Sequence, residues 1–440
     1  MRLFYHKYTI LGLIFILKMH FSYAQKITFN NQVAPIIFKN CSSCHQDGES
    51  GLFSFMNYKE VASRAKMIKE VVNSGYMPPW KQDPEYRHFE NERFLSTSEI
   101  KIINEWVDKG AIEGSEKIEY SVLKSSANLG KPDGQIKMKV PFPIKGINTD
   151  IFAWVKMPYA FESPLDSLEI EAIEFVAVNK KLMHHISYEV IGLDKESAFG
   201  RPYFMMENGP LGNRDPYTYL GIKDKHPAFI NGWLPGMGTT IFNGEMGVKI
   251  PKTGVILLNM VHYAGTPIND MDSSYFNVYF KKQAISRLVS YMALTSGAKN
   301  AVIEPPLIIP ADSIKTYKSV SVIPSDISLM YVSPHMHLLG KKYVAYVIDL
   351  TGDTIPLIRI NTWDFNWQQV CKLNPMIHIK KGSQIIVEGT YDNTAQNPRN
   401  PFHPPQTIYS EKGMKTTDEM LGLGIHYVNY RKGDEKLQIK

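Results

Sequence analysis

Two cysteines and a histidine stand in one five-residue motif near the start of the chain, Cys41-Ser42-Ser43-Cys44-His45. The order C-x-x-C-H is the attachment signature of c-type haem, because two thiols add to the haem vinyl groups and the adjacent histidine reaches the iron. The alternatives are a C-x-x-C redox pair and a zinc half-site beside a chance histidine. No second cysteine pair exists to complete a zinc site. We therefore predict that Cys41, Cys44 and His45 hold one covalently attached c-type haem.

A sixth iron ligand is then expected. Met77 lies in the Pro-rich stretch Gly75-Tyr76-Met77-Pro78-Pro79-Trp80, between two predicted helices. A thioether opposite the histidine raises the potential and leaves no open position, which suits electron transfer rather than oxygen chemistry. Met56 and Met67 compete for this role, but Met67 is predicted on a helix and Met56 just before one, where core packing explains both. Met77 is the predicted ligand.

Further along the chain, three histidines raise the possibility of a metal site. His184 and His185 are adjacent, and neighbours on a regular strand point to opposite faces, so they can share a metal only at a strand end where the backbone turns. His262 ends the apolar run 255–263 and shares the strand parity of Ile256 and Leu258, which predicts that it leaves a buried face. Each signal is weak alone, since a polar loop or a hydrogen-bonded core histidine explains it equally well.

A stronger pattern follows in His335-Met336-His337. The i, i+2 spacing places both imidazoles on one face of a strand, where they can converge on a single metal. Met420 precedes an alternating segment in which Leu421 and the apolar residues after it form one face, while Met420 itself falls on the opposite face. Imidazoles with a thioether make a site soft enough for Cu(I) and usable for Cu(II), whereas zinc rarely chooses a thioether.

Taken in order, the motifs His-His, His-Tyr, His-x-His and Glu-Met resemble the copper type II, ascorbate-dependent monooxygenases, the family of the peptidylglycine and dopamine β-monooxygenases. The resemblance spans about residues 136–435, and its specificity lies in the order and context of the motifs. Two matching stretches are 335–341 (HMHLLGK) and 418–420 (DEM). Residues 26–115, in turn, resemble bacterial single-haem cytochrome c domains.

The resemblance implies a function and a set of roles. His184, His185 and His262 would bind an electron-transfer copper, and His335, His337 and Met420 would bind the catalytic copper where oxygen reacts. Each triad would sit on one jelly roll, facing the other across a water-filled cleft. The implied reaction hydroxylates a C–H bond of a small-molecule or peptide-like substrate with O2. The external electron donor would be ascorbate or a periplasmic carrier, and the fused haem would pass the electrons to the first copper.

The chain also departs from the family. The peptide enzyme has an Arg two residues before the His-x-His pair, where this chain has Ser333, and Asn and Tyr at two and four residues past the ligand methionine, where this chain has Gly422 and Gly424. A peptide-glycine substrate is therefore not expected. We interpret the two glycines as opening space beside Met420 for a bulkier substrate. Only Cys371 remains outside the haem motif, so the disulfides of the animal enzymes are missing and the cores must hold the fold.

The secondary structure predicted around these residues divides the chain into a helical part, a linker and a strand-rich part. Residues 26–115 read as a small all-α unit, with a helix start at Asn57 and a second at Ser96, each followed by a Glu three residues later. Residues 116–135 are a polar linker. The remainder alternates in short strands such as 168–178, 254–263, 342–350 and 384–391, which predicts two all-β jelly-roll sandwiches at 136–302 and 303–435. The seam is predicted at the Pro-rich stretch 303–306.

Composition excludes several classes of protein. Residues 1–24 resemble a secretory signal, with Arg2 and Lys7 before the apolar run 11–17 and a small-residue cleavage site before Gln25. No later segment reaches about 18 consecutive apolar residues, so no membrane span is predicted. The net charge of +6 falls once the signal leaves, and nothing predicts nucleic-acid binding. We expect a periplasmic or extracellular protein.

Two other functions stay open at this point. The copper triads could be real while the protein only carries electrons or copper, because the ligands of a carrier and a monooxygenase are the same. A structural β-sandwich adhesin with a haem appendage would leave the ordered metal ligands unexplained. Five other histidines are predicted to be structural or superficial: His88, His226, His378, His403 and His426. Of these, His426 has the strongest competing interpretation, because it shares the strand face of Met420.

Overall fold

The computed structural model describes residues 26–90, 92–116, 129–207, 215–223, 226–242, 244–296, 301–410 and 415–437. The predicted signal segment and residues 117–128 of the predicted linker lie outside the described residues. The chain is mostly β, and its helices are concentrated before residue 110.

The first part is a helical unit with a core of its own. A π-helical turn at Phe29–Val33 leads into four helices: α1 (Ala34–Asn40), α2 (Tyr58–Ala62), α3 (Ala65–Asn73) and α4 (Thr97–Asp108). Both predicted helix starts are correct, since Asn57 caps α2 and Ser96 with Glu99 forms a capping box on α4. Trp106 of α4 is fully buried against Phe29, which joins the two ends of the unit.

The second part is a β-sandwich. Its strands and two short helices are β1 (Gly134–Lys137), β2 (Phe142–Ile144), β3 (Ile151–Ala160), β4 (Ser167–Val176), β5 (Met183–Gly192), α5 (Lys195–Phe199), β6 (Phe204–Met206), α6 (Pro216–Tyr219), β7 (Phe229–Trp233), β8 (Thr240–Ile241), β9 (Met246–Pro251), β10 (Thr253–Tyr263), β11 (Asp270–Asp272), β12 (Tyr275–Phe280) and β13 (Arg287–Leu288). One sheet has the order β1-β12-β4-β9-β13 with β8 beside β4, and the other has the order β6-β3-β10-β5-β7. The inward faces of both sheets share one apolar core.

The third part is a second sandwich. Its strands are β14 (Ser290–Thr295), β15 (Val302–Glu304), β16 (Ile308–Ile309), β17 (Ser313–Val322), β18 (Ile327–His335), β19 (Gly340–Ile348), β20 (Thr354–Ile360), β21 (Cys371–Ile379), β22 (Gln384–Asn393), β23 (Ile408–Tyr409) and β24 (Gly422–Asn429), with a 3-10 turn at Asp434–Lys436. The sheets run β14-β24-β18-β21 and β15-β17-β22-β19-β20 around a second core.

The seam between the sandwiches differs from the prediction at 303–306. Strand β14, which lies before residue 303, pairs along its whole length with β24, the last strand of the chain. The change of sandwich therefore falls between β13 and β14, near residue 289. The Pro-rich stretch misled the prediction because it only separates β15 from β16 within the second sandwich.

The two sandwiches pack through the outer faces of one sheet each. Met330, Tyr331, Met376 and Val428 of the second sandwich join the core cluster of the first. His426 extends this contact, because its Nε2 lies 2.7 Å from the carbonyl oxygen of Ile230 in β7. Side chains on these two outer faces are thus brought together by tertiary packing.

A bulge in β10 decides which face His262 occupies. The register shifts after Asn259, and Met260 has a φ of 63°. One extra residue reverses the alternation of a strand. Ile256 and Leu258 therefore point into the first core, whereas His262 points to the outer face, where its ring stacks on Phe152 with centroids 4.4 Å apart. The parity predicted from the sequence was wrong for this reason.

The helical unit is fastened to both sandwiches. Lys180 of the first sandwich forms a 2.6 Å ion pair with Glu49. Arg359 of the second forms a 2.8 Å ion pair with Asp83, and the backbone of Glu90 pairs with Lys372. None of the helices in the described ranges is both long and apolar enough to cross a membrane.

Candidate functional site

The first histidine cluster forms where β5 and β10 end together. His262 pairs with His185, and the next pair joins Tyr263 to Met183, so His184 is the extra residue of a bulge. The bulge supplies the backbone turn that two adjacent histidines need to reach one partner. The ring centroid of His262 lies 4.6 Å from that of His184 and 5.0 Å from that of His185. The structure thus brings all three predicted residues into contact.

Asp150, which no sequence pattern singled out, holds the orientation of His262. Its Oδ2 lies 2.8 Å from Nε2 of His262, while its Oδ1 accepts the backbone N–H of Gly265. The hydrogen bond with His262 lowers the pKa of Asp150 to about 2, so the carboxylate stays ionised. A histidine held through one ring nitrogen presents the other in a fixed direction.

The donor atoms of this cluster fit a metal. The Nδ1 atoms of His185 and His262 are buried, and neither has a hydrogen-bond partner among the described residues. Buried nitrogen acceptors are normally satisfied, so these two atoms are available to bind a metal. Burial lowers the pKa of His184 and, together with the neighbouring histidines, the pKa of His185 well below the ordinary range. The rings are therefore neutral, as metal ligands must be.

The second cluster lies at the end of β18 and just beyond it. Nε2 of His335 lies 3.1 Å from Nε2 of His337. Nδ1 of His337 donates to the carbonyl oxygen of Asp418 at 2.8 Å, and Nδ1 of His335 lies 2.6 Å from Oε1 of Gln368. The amide of Gln368 donates to the Phe365 carbonyl, which fixes its oxygen toward His335.

These bonds leave two lone pairs directed at each other. Burial lowers the pKa of His335, and burial with the neighbouring imidazole lowers the pKa of His337 to about 3, so both rings are neutral. A neutral imidazole that donates from Nδ1 carries no proton on Nε2. Two nitrogens bound to one tetrahedral ion about 2.0 Å away lie about 3.3 Å apart. The observed spacing therefore fits a cation held between them.

Glu419 ties the Met420 segment to this cluster. Its carboxylate accepts the backbone N–H groups of His337 at 3.0 Å and Leu339 at 2.6 Å, and the side chain is almost fully buried. Met420, the next residue, is half-buried, and its carbonyl oxygen accepts the hydroxyl of Tyr391. Since Gly422 pairs with His335 across β24 and β18, Met420 lies beside the histidine pair in the fold.

The two clusters are separated by a phenyl ring rather than by a visible open cleft. The ring centroid of Phe365 lies 6.1 Å from that of His185 and 5.9 Å from that of His337. Phe365 is 5% exposed. Within the described ranges, no group of three or more His, Cys, Asp and Glu side chains gathers its donor atoms around one point. The first cluster therefore needs side-chain rotation to close on an ion, and the second needs its methionine.

One ring nitrogen of the histidine in the C-x-x-C-H motif is engaged by the backbone. Nδ1 of His45 lies 3.0 Å from the carbonyl oxygen of Phe53, which fixes the tautomer and leaves the Nε2 lone pair available for a ligand bond. Cys41 and Cys44 are free thiols. Burial raises the pKa of Cys41 to about 12 and also raises that of Cys44. Reactive redox cysteines have lowered pKa values, which is the opposite direction from the shifts that burial produces here.

Met77 lies in the turn that follows α3, with its backbone N–H bonded to the carbonyl oxygen of Val71. It is half-buried. Of its competitors, Met67 is on α3 as predicted but is 37% exposed, so it is not a core residue. Met56 is half-buried before α2.

The glycines after Met420 do not open a space. A β-carbon at Gly422 would lie 2.5 Å from Cγ2 of Thr295, and one at Gly424 would lie 2.7 Å from the hydroxyl oxygen of Tyr291. Both partners belong to β14, the strand that the sequence placed in the other sandwich. The glycines are therefore required for packing, and the interpretation of a wider substrate space is wrong.

Replacing Gly422 with alanine is expected to destabilise the fold by about 1–3 kcal/mol, because the added methyl group overlaps Thr295. Urea unfolding measures the change. Adding Thr295→Ser removes the opposing methyl group and should restore part of the loss. A Gly422→Ala protein as stable as the parent would contradict this packing argument.

Replacing Gln368 with leucine is expected to weaken copper binding at the second cluster by about 10- to 100-fold, since the ring of His335 loses the bond that orients it. Competition with a chromophoric Cu(I) chelator measures the affinity. Gln369→Leu is a matched control, because Gln369 bonds to Pro79 instead. Equal affinity in the two variants would rule out the orienting role.

Two of the other histidines have clear structural partners. His88 is exposed and pairs with Glu92, and the ring of His378 stacks on Tyr430. Residues that the sequence analysis missed are Asp150, Gln368 and Phe365. Glu419 was the one supporting residue that the sequence did indicate, because it is an acidic residue directly beside a strand that enters the core.

Comparisons with known proteins support part of this picture. Residues 292–439 match the family model of the copper type II ascorbate-dependent monooxygenase C-terminal domain, which confirms the resemblance for this part of the chain. No curated protein matches the chain. The VP2 subviral particle of infectious bursal disease virus is 11% identical over 70% of this chain and 74% of its own, with a TM-score of 0.18. The T=1 particles derived from infectious bursal virus are 10% identical over 71% and 73%, with a TM-score of 0.17. At TM-scores this low, neither structure establishes a shared fold with this chain.

Proposed function

We propose that this chain, whose residues 292–439 carry the C-terminal domain of the copper type II ascorbate-dependent monooxygenases, is a copper-dependent monooxygenase acting on a C–H bond of an organic substrate. The observation that carries the proposal is the pair of Nε2 atoms of His335 and His337, 3.1 Å apart, with the Nδ1 atom of each ring engaged in a separate hydrogen bond. The proposal assigns these two residues and Met420 to the copper where oxygen reacts, and His184, His185 and His262 to the second copper.

The chain's own residues would prepare this site in three ways. Gln368 and Asp418 hold the Nδ1 protons, so the Nε2 lone pairs are available without any proton being moved. Glu419 accepts the backbone N–H of His337 and so holds its own chain segment against the histidine pair. Met420 is the next residue of that segment, and its position is fixed with it. The imidazole of His337 is buried, whereas that of His335 is partly exposed. A bound copper would supply one-electron chemistry and an open position for O2.

We further propose that the fused helical unit is a cytochrome c domain that supplies electrons to the first copper. The support is the fixed tautomer of His45 and the ion pair between Glu49, four residues after the motif, and Lys180, four residues before His184. The chain would act after export, in the periplasm or outside the cell. A periplasmic carrier or ascorbate would then reduce it.

The test begins with metal and haem content of the exported protein, by elemental analysis and visible spectra. Two coppers and one haem per chain are expected, and the mass should show that residues 1–24 have been removed. The ascorbate-reduced protein is then exposed to O2, and the return of the Cu(II) spin-resonance signal is followed. Zinc, or a single copper, would overturn the assignment. Two coppers that do not react with O2 would favour the alternative, a copper and haem electron carrier.

A further inference from the structure

Phe365 occupies the space between the two histidine clusters. Its ring makes edge-to-face contacts with His185 of the first sandwich and His337 of the second, with centroids 6.1 and 5.9 Å away. Both distances fall in the range of favourable aromatic pairs. A single side chain thus touches a proposed ligand of each copper.

A second aromatic contact extends this connection on the first sandwich. Phe152 stacks on His262 with centroids 4.4 Å apart, and its centroid lies 6.2 Å from that of Phe365. Two chains of rings therefore run from the first cluster to His337, one through His185 and one through His262, and Phe365 is common to both.

The loop that carries Phe365 is held in place on each side of it. Trp363 donates its indole N–H to the carbonyl oxygen of His337 at 3.2 Å, and its backbone N–H bonds to Lys341. Asp364 forms a 3.0 Å ion pair with Arg399. On the other side, Gln368 bonds both to the Phe365 carbonyl and to His335. These bonds hold the loop, and with it the ring of Phe365, in one position between the two clusters.

We propose that Phe365 electronically couples the two copper sites, so that electrons cross between the sandwiches through its ring. This inference rests on the proposed function. In the step concerned, Cu(I) held by His184, His185 and His262 loses one electron and becomes Cu(II), and Cu(II) at the other cluster gains it and becomes Cu(I). No bond forms or breaks, and no proton moves.

Packing explains why a ring suits this position. The electronic overlap between two sites decays less across packed atoms than across a gap, and the ring of Phe365 contacts an imidazole of each cluster. Phe365 itself is almost fully buried, and charges influence each other more strongly in a buried setting than in water. Replacing the ring with a smaller aliphatic group interrupts the contacts while leaving the apolar character.

The experiment compares the two-copper protein with its Phe365→Leu variant. A light-generated reductant delivers one electron, and rapidly frozen samples are examined by Cu(II) spin resonance. Reference spectra of each site come from His337→Gln and His185→Gln, which each keep one site. Phe161→Leu is the matched control, because Phe161 follows the far end of β3 and contacts Tyr159 and Phe280.

Phe365→Leu should slow the exchange of the electron between the sites several-fold, with copper content and the two Cu(II) spectra unchanged, and Phe161→Leu should not. Two bound coppers with an unchanged exchange rate in Phe365→Leu would overturn this inference and leave the proposed function intact. Failure of the parent protein to bind two coppers would overturn both.

Discussion

Replacing His337 with glutamine is expected to remove one of two copper ions and to abolish the reaction of the reduced protein with O2. A glutamine amide can still donate to the Asp418 carbonyl, so the local fold should survive, but it offers no imidazole Nε2 opposite His335. The loss of affinity should exceed the roughly 10- to 100-fold typical of a lost outer hydrogen bond. Elemental analysis and the Cu(II) spin-resonance signal measure the two effects.

The control for this variant is His88→Gln, which changes an exposed histidine that pairs with Glu92. It should retain both coppers and react with O2 at the parent rate. If His337→Gln retained two coppers, the second cluster would not be a metal site, and the monooxygenase proposal would fail with it.

The second large effect is expected at the buried ion pair that joins the sandwiches. Arg287 of β13 binds Asp434 of the last turn through two bonds of 2.8 and 2.6 Å, and Ser328 donates to the same carboxylate. Both charged side chains are 3% exposed. Replacing Asp434 with alanine leaves the guanidinium buried without its partner, which should cost about 3–5 kcal/mol in the free energy of unfolding. Denaturant unfolding checks the value.

A double variant separates the charge from the packing. Arg287→Met with Asp434→Leu removes both charges, and it should recover most of the lost stability, because an apolar pair has no desolvation cost. An Asp434→Ala protein within 1 kcal/mol of the parent, a small fraction of the roughly 3–5 kcal/mol expected, would show that the pair contributes little.

The same pair should leave a signature in the pH dependence of stability. Burial alone would raise the pKa of Asp434, but the bonds from Arg287 and Ser328 outweigh it and hold the pKa below the ordinary value of 3.8. The unfolded chain therefore takes up a proton first as the pH falls. The contribution of the pair is complete above the ordinary value and is lost as the pH falls through the lower, folded value. Asp434→Ala should lose this part of the acid dependence.

The helical unit contacts the loop that carries Phe365 and a loop of the first sandwich. Gln369, which follows the loop carrying Phe365, donates to the carbonyl oxygen of Pro79, two residues after Met77. Arg93 reaches the carbonyl oxygen of Gly236 in the first sandwich. The turn that carries Met77 and the loop that carries Phe365 are therefore neighbours in the fold.

The sequence determined the local features of this protein because they depend on residues near one another in the chain. The capping box at Ser96 and Glu99, the strands at 253–263 and 384–393, and the motif Cys41–His45 each follow from spacing alone. The order of the histidine motifs was enough to indicate a resemblance, and the family model of the C-terminal domain matches residues 292–439.

Only the tertiary structure decided how the sites are built. The bulge at Met260 depends on the pairing of β10 with two neighbours, and it moved His262 to the face opposite the one that alternation predicted. Strand β14 joins the second sandwich because its partner, β24, lies more than a hundred residues later. Phe365 reaches both clusters only when the sandwiches pack face to face, since contacts between residues remote in sequence are selected by the fit of whole faces and not by local pattern.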